Sequence, residues 1–124
     1  MPRQYQPMNK IIENLYLGDI RAAQNLELLK QHGITHILQA LGGIKPAFEG
    51  QFKYKVLQVN DVPWENLGRH FKEAVEFIKK AIKEEGGKVF VHCWAGISRS
   101  TSCICAYLMM EHSLNLNQAL NVCR

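Results

Sequence analysis

Three consecutive segments constrain the fold of this chain more than any other part of it. Leu67 to Glu85 carries Leu67, Phe71, Ala74, Val75, Ile78, Ala81 and Ile82 at spacings of three and four, with Lys72, Glu73, Glu76, Lys79, Lys80 and Lys83 between them. That period predicts an amphipathic helix over 67–85, and Gly86-Gly87 end it. Lys88 to His92 follows as a short strand with Val89, Phe90 and Val91 in a row. A strand apolar on both faces is covered on both faces. From Ser100 to Met110 the residues are apolar on every side, which predicts a helix inside the protein, with Cys103, Cys105, Met109 and Met110 as core.

The earlier segments fit the same plan. Ile11 to Leu17 reads as a strand ending at Gly18, Ile34 to Leu41 as another, and Tyr54 to Val59 as a third. Asn25 is placed to cap a short helix that stops at Gly33. Leu116 to Val122 is a last amphipathic segment. Strands alternating with helices predict an α/β domain with a mostly parallel central sheet flanked by helices. Strand 54–60, helix 67–85 and strand 88–92 form one right-handed crossover. With 124 residues the chain reads as one domain over 10–124, preceded by a flexible arm over 1–9.

The fold class directs attention to two loops, because ligands of open parallel sheets bind beyond the carboxyl ends of the strands. One loop begins at Asp61 and the other at Cys93. The second runs His92-Cys93-Trp94-Ala95-Gly96-Ile97-Ser98-Arg99-Ser100 into the apolar helix. A loop entering a helix N-terminus aims several backbone N–H groups at one point, which suits a phosphate. Gly96 permits the tight turn, and the Arg99 guanidinium can fork onto two phosphate oxygens. The same groups favour the thiolate of Cys93, which makes it a nucleophile under a bound phosphorus. His92 is expected to support the loop by hydrogen bonds, and Ser100 to offer its hydroxyl to the sulfur.

Charge and cysteine usage narrow the class further. A net charge of +4 and a pI near 8.9 suit anionic substrates, but the excess is small and scattered, which argues against nucleic acid. The four cysteines and five histidines show no zinc spacing and no disulfide framework. A reducing compartment is the simplest reading, so the expected location is cytoplasmic or nuclear. The N-terminus shows no signal or acylation motif and no apolar run is long enough to span a bilayer, so no membrane anchor is expected. Nothing in the pattern specifies an oligomeric state.

The His92-Cys93 pair, five further residues and Arg99 resemble the signature of the protein tyrosine phosphatase superfamily. Ala95-Gly96-Ile97-Ser98-Arg99-Ser100 resembles its dual-specificity branch, and the expectation that no long regulatory domain precedes the catalytic unit makes the likeness one to the small atypical form. Asn14-Leu15-Tyr16-Leu17-Gly18 resembles that family's first strand and Ala106-Tyr107-Leu108-Met109 the helix after its loop. Asp61, followed five places later by Asn66, resembles its general-acid loop. The likeness runs from about residue 10 to the end. It implies a phosphotyrosine-phosphatase-like fold that is C-terminally short, lacking the family's last helix.

The resemblance also implies a mechanism without metal or cofactor. Cys93 attacks phosphorus, Asp61 protonates the leaving oxygen and then activates water, and Ser100 helps the sulfur depart. The backbone of Trp94, Ala95, Gly96, Ile97 and Ser98 holds the phosphate together with Arg99. Asn66 bridges the two loops or caps the following helix, and Glu65 is the fallback acid. Trp64 and Trp94 grip substrate or simply pack. A disulfide from Cys93 to Cys103 or Cys105 is a minor alternative fate of the nucleophile. The short stretch between Ile34 and Tyr54 implies a shallow pocket that admits phosphoserine and phosphothreonine as well as phosphotyrosine. The expected partner is a phosphoprotein substrate. Competing readings are a phosphatase for an inositol lipid, an RNA end or a glycan, and a catalytically weak phosphoprotein-binding module.

Overall fold

The computed structural model describes residues 8–58, 68–93 and 98–123, with the side chains of 68, 69 and 98 outside that set. Its strands are β1 (Met8–Ile12), β2 (Leu15–Gly18), β3 (His36–Gln39), β4 (Lys53–Val56) and β5 (Val89–His92). They form one sheet in the order β1-β2-β5-β3-β4. β1 is antiparallel to β2, and every other pairing is parallel. The mostly parallel sheet predicted from the alternating pattern is therefore present, with one antiparallel strand at its edge.

The helices are α1 (Ile20–Ala23), α2 (Leu26–Gln31), α3 (Gly68–Lys79), α4 (Ser98–Glu111) and α5 (Leu116–Cys123), and a π-helical turn, Lys80–Glu84, continues α3. Alternation along the strands sorts two cores. Leu15, Leu17, Leu38, Ala40, Val89 and Val91 pack with residues of α3, α4 and α5. Tyr16, Ile37 and Phe90 pack on the other face with Ala22, Ala23 and Leu29 from α1 and α2. Because β5 is central and covered on both sides, all four of its residues are buried, as its unbroken apolar run requires.

Several expectations change. The single strand read over Ile11 to Leu17 is a hairpin that turns at Glu13-Asn14, with Asn14 at φ 70. Asparagine tolerates that left-handed conformation better than most residues. Met8 and Asn9, placed in the flexible arm, are the first residues of β1, and the Met8 side chain is buried. Asp19, which the sequence pattern leaves without a role, caps α1 by accepting hydrogen bonds from the backbone of Arg21 and Ala22 at 3.0 and 3.1 Å. Asn25 caps α2 as expected, accepting from Leu28 N at 3.1 Å. Met109 and Met110, read as core, are 40% and 65% exposed. An all-apolar helix has no polar face to mark its outer side, and theirs is the outer side of α4.

The end of the sheet remote from the carboxyl ends is pinned by polar contacts. Lys88 N donates to Thr35 Oγ1 at 2.9 Å, and Lys53 Nζ lies 2.9 Å from Glu85 Oε2. Gly87 threads between these groups. A Cβ there would lie 2.4 Å from Thr35 Oγ1 and 2.6 Å from His36 Nδ1. Gly87→Ala is expected to destabilise the domain by about 1–3 kcal/mol, because His36 is buried and cannot swing away. An unchanged urea midpoint would show that the neighbours yield without cost.

Candidate active site

The site is built at the carboxyl ends of β2, β5 and β3. Gly18, His92 and Gln39 lie level with one another in these three strands. Cys93 is the first residue beyond β5, and the period of two sends its side chain to the same face as Val89 and Val91. That is the face on which α4 packs. The Cys93 side chain is 2% exposed, within the core cluster that includes Cys103, Ile104 and Tyr107.

α4 starts at Ser98, so Arg99 and Ser100 occupy its first turn. Ser100 is fully buried, and its Oγ lies 3.5 Å from Cys93 Sγ as a donor to the sulfur. A strand end and a helix start thus meet at one thiol. The sulfur lies beside a helix N-terminus, the positive end of the helix dipole. That environment favours an anion at this point.

His92 points the other way, toward α1 and α2. It is 1% exposed and stacks on Phe90, with ring centroids 5.6 Å apart and an interplanar angle of 16°. Its Nδ1 lies 3.3 Å from Cys93 O, an arrangement in which the ring donates to the Cys93 carbonyl. Burial pushes the His92 pKa down to about 4, against smaller opposing effects of that hydrogen bond and of the Asp19 charge. The ring is therefore neutral at ordinary pH and serves as a brace. Ala40 N also donates to His92 O, at 2.8 Å, and Gln39 Nε2 donates to Ile44 O at 2.8 Å. A shallow cleft beside His92 is lined by Ile20, Gln24, Gln39, Lys45 and Tyr54 among others.

Of the residues singled out by sequence, the structure brings together His92, Cys93, Arg99 and Ser100. Asp61, Glu65, Asn66, Trp64, Trp94, Ala95, Gly96 and Ile97 lie outside the described residues, as does the Ser98 side chain. Cys103 is buried, and its thiol is pushed up to about 12, first by burial and then by the neighbouring Cys93 charge. Cys105 turns instead toward α5, where its sulfur meets that of Cys123 at 4.0 Å.

Sequence reasoning overlooked Asp19 here. It follows the carboxyl end of β2, beside the strand that carries Cys93, and its charge reaches His92. Its place directly after a predicted strand end was the available signal. His70 has both ring nitrogens buried without a hydrogen-bond partner among the described residues. It shares the i, i+4, i+8 row of α3 with the buried Ala74 and Ile78.

Comparison with known proteins places this arrangement. The family model described as "Dual specificity phosphatase, catalytic domain" matches residues 15–124. Dual specificity protein phosphatase 1 of Arabidopsis thaliana is 46% identical over 110 residues, covering 89% of this chain and 55% of that protein. Dual specificity protein phosphatase 22-A of Danio rerio is 42% identical over 113 residues, covering 91% of this chain and 53% of that protein. The chain thus spans about half the length of these curated relatives. Among solved structures, the human tyrosine phosphatase-like serine/threonine/tyrosine-interacting protein superposes with a TM-score of 0.85 at 38% identity, over 93% of this chain and 80% of that one. With a matching family model over nearly its whole length and the same fold in its neighbours, this chain belongs to the dual specificity phosphatase catalytic domain family.

Proposed function

We propose that this domain hydrolyses phosphotyrosine and phosphoserine or phosphothreonine in proteins through a phosphocysteine intermediate on Cys93. The observation that carries the reading is the Ser100 Oγ to Cys93 Sγ contact of 3.5 Å, at the junction of a strand end and a helix N-terminus. A thiol that was only packing would need neither the hydroxyl nor the helix end. The family match supports the reaction class.

In this mechanism the Cys93 thiolate attacks phosphorus, and an S–P bond forms as the bond to the leaving oxygen breaks. Arg99 and the N–H groups at the start of α4 hold the equatorial oxygens, where charge is spread in the transition state. Asp61 gives its proton to the leaving oxygen. It then takes one from the water that attacks the phosphocysteine, and inorganic phosphate departs while Ser100 donates to the returning thiolate. Asp61 and Asn66 enter on the sequence resemblance. No step calls for a metal ion. A thiol nucleophile accompanied by three further free cysteines suits a reducing compartment, so the cytoplasm or nucleus is the proposed setting.

Ser100→Ala tests the second half of the cycle. It is expected to slow turnover about 10²-fold, the usual scale for losing one well-placed donor. Rapid mixing with p-nitrophenyl phosphate should then show a burst of one nitrophenolate per site before the slow phase. Equal slowing of burst and steady state would assign Ser100 to loop support instead. Substrate class is tested on matched phosphotyrosine, phosphothreonine and phosphoserine peptides without added metal. Hydrolysis of phosphotyrosine alone would remove the dual specificity.

A further inference from the structure

Two cysteines outside the site face each other across a helix pair. Cys105 lies in the middle of α4, is 5% exposed, and holds its sulfur 4.0 Å from that of Cys123 in α5. Cys123 is half-buried and is the outer member of the pair. Both are free thiols. The separation is van der Waals contact, and a disulfide of about 2.0 Å is reached when the sulfurs close by about 2 Å. The pair lies on the side of α4 turned toward α5, whereas Cys103 lies beside Cys93.

The geometry points to Cys105 and Cys123 as an oxidative modification site, which a peroxide converts to a disulfide that staples α5 to α4. The Cys123 sulfur, as thiolate, attacks a peroxide oxygen. An S–O bond forms, the O–O bond breaks, and the departing hydroxide takes up the thiol proton as water. Cys105 then attacks the Cys123 sulfur, an S–S bond forms, the S–O bond breaks, and hydroxide leaves with the Cys105 proton as a second water. Two thiols are oxidised and one hydrogen peroxide is reduced to two waters. Burial raises the Cys123 pKa to about 12. The thiolate fraction is therefore small, and the pair responds to sustained oxidant, not to a brief pulse.

The staple acts on the helix that carries Arg99 and Ser100 in its first turn, while leaving the thiol chemistry of Cys93 separate. It closes a loop of 18 positions along the chain, enough to raise the thermal midpoint by about 10 °C.

The test uses the whole chain with Cys93→Ser, so that the catalytic thiol does not compete. The protein is held in hydrogen peroxide, blocked with an alkylating agent, digested and mapped without reductant. The expected result is a linked peptide pair joining Cys105 to Cys123, a higher thermal midpoint, and reversal of both by dithiothreitol. Adding Cys123→Ser should abolish the linked pair and the shift. In the wild-type background Cys123→Ser should leave p-nitrophenyl phosphate hydrolysis unchanged, which shows that the variant is folded. Sulfinic acid at Cys123, disulfide-linked dimers through Cys123, or linkage without a rise in midpoint would each overturn the proposal.

Discussion

Replacing Cys93 with serine is expected to reduce p-nitrophenyl phosphate hydrolysis by about 10³-fold or more while leaving the fold intact. The residue is buried, and the change swaps one small atom for another at nearly constant volume, so packing against Cys103 and Ile104 is kept. A serine hydroxyl in the same position remains protonated, however, and attacks phosphorus poorly. Because the helix start and Arg99 stay in place, the variant should still bind a phosphopeptide. Calorimetric titration against hydrolysis separates the two effects. Loss of both binding and turnover in a folded variant would mean that the thiolate itself helps to organise the loop. Retained hydrolysis would remove Cys93 from the mechanism. A wild-type protein that binds phosphopeptides without hydrolysing them would favour the binding-module reading.

The second large effect is a loss of stability in mild acid, carried by His92. In the unfolded chain this ring takes up a proton near pH 6.5, while in the folded protein burial holds it neutral down to about pH 4. Between those values the unfolded state binds more protons, so stability falls as pH drops. His92 contributes fully above pH 6.5, and its contribution is gone below about pH 4. The depression corresponds to about 3 kcal/mol. The paired carboxylates of Glu13, Glu85 and Glu111 are shifted downward by their lysine partners, so they lose stability at lower pH than His92 does. Urea midpoints from pH 7 to 4.5 should decline steeply for the wild type and distinctly less for His92→Gln. Parallel slopes for the two proteins would refute this assignment. Since the same ring braces the Cys93 carbonyl, activity lost in that window should return on neutralisation if the acid step is local.

How much of this was legible in the sequence depended on whether a pattern had a physical period. The row Leu67 to Ile82 announced α3 because a helix face repeats every 3.6 residues, yet the same row could not show that Lys80–Glu84 widens to a π-turn. Val89 to Val91 announced a strand covered on both faces, which is what β5 is. The β1–β2 hairpin was missed because its turn is Glu13-Asn14, without the glycine that usually marks one. α1 was missed because four residues show no period. Met109 and Met110 were misplaced because composition reports how apolar a helix is, not which side is covered. At the site, Cys93 and Ser100 could be matched by their order around a loop. The Asp19–His92 proximity could not, since it depends on β2 and β5 becoming neighbours.

That neighbour relation also shapes how the chain assembles. Among the described residues β1 pairs only with β2, and β4 only with β3, so the four strands from Met8 to Val56 make two separate pairs with an open gap between them. The gap is filled by β5, whose residues appear only at position 89. Leu15 waits for Val89 across most of the chain, and His36 waits for the same residue from the other side. A growing polypeptide that has not yet delivered β5 carries two apolar strand edges that nothing covers, which makes it the form most exposed to aggregation and to chaperones. The strand that closes the gap is the one that leads into Cys93. Assembly of the sheet and placement of the thiol are thus a single late event, and a half-formed domain cannot present a half-working site.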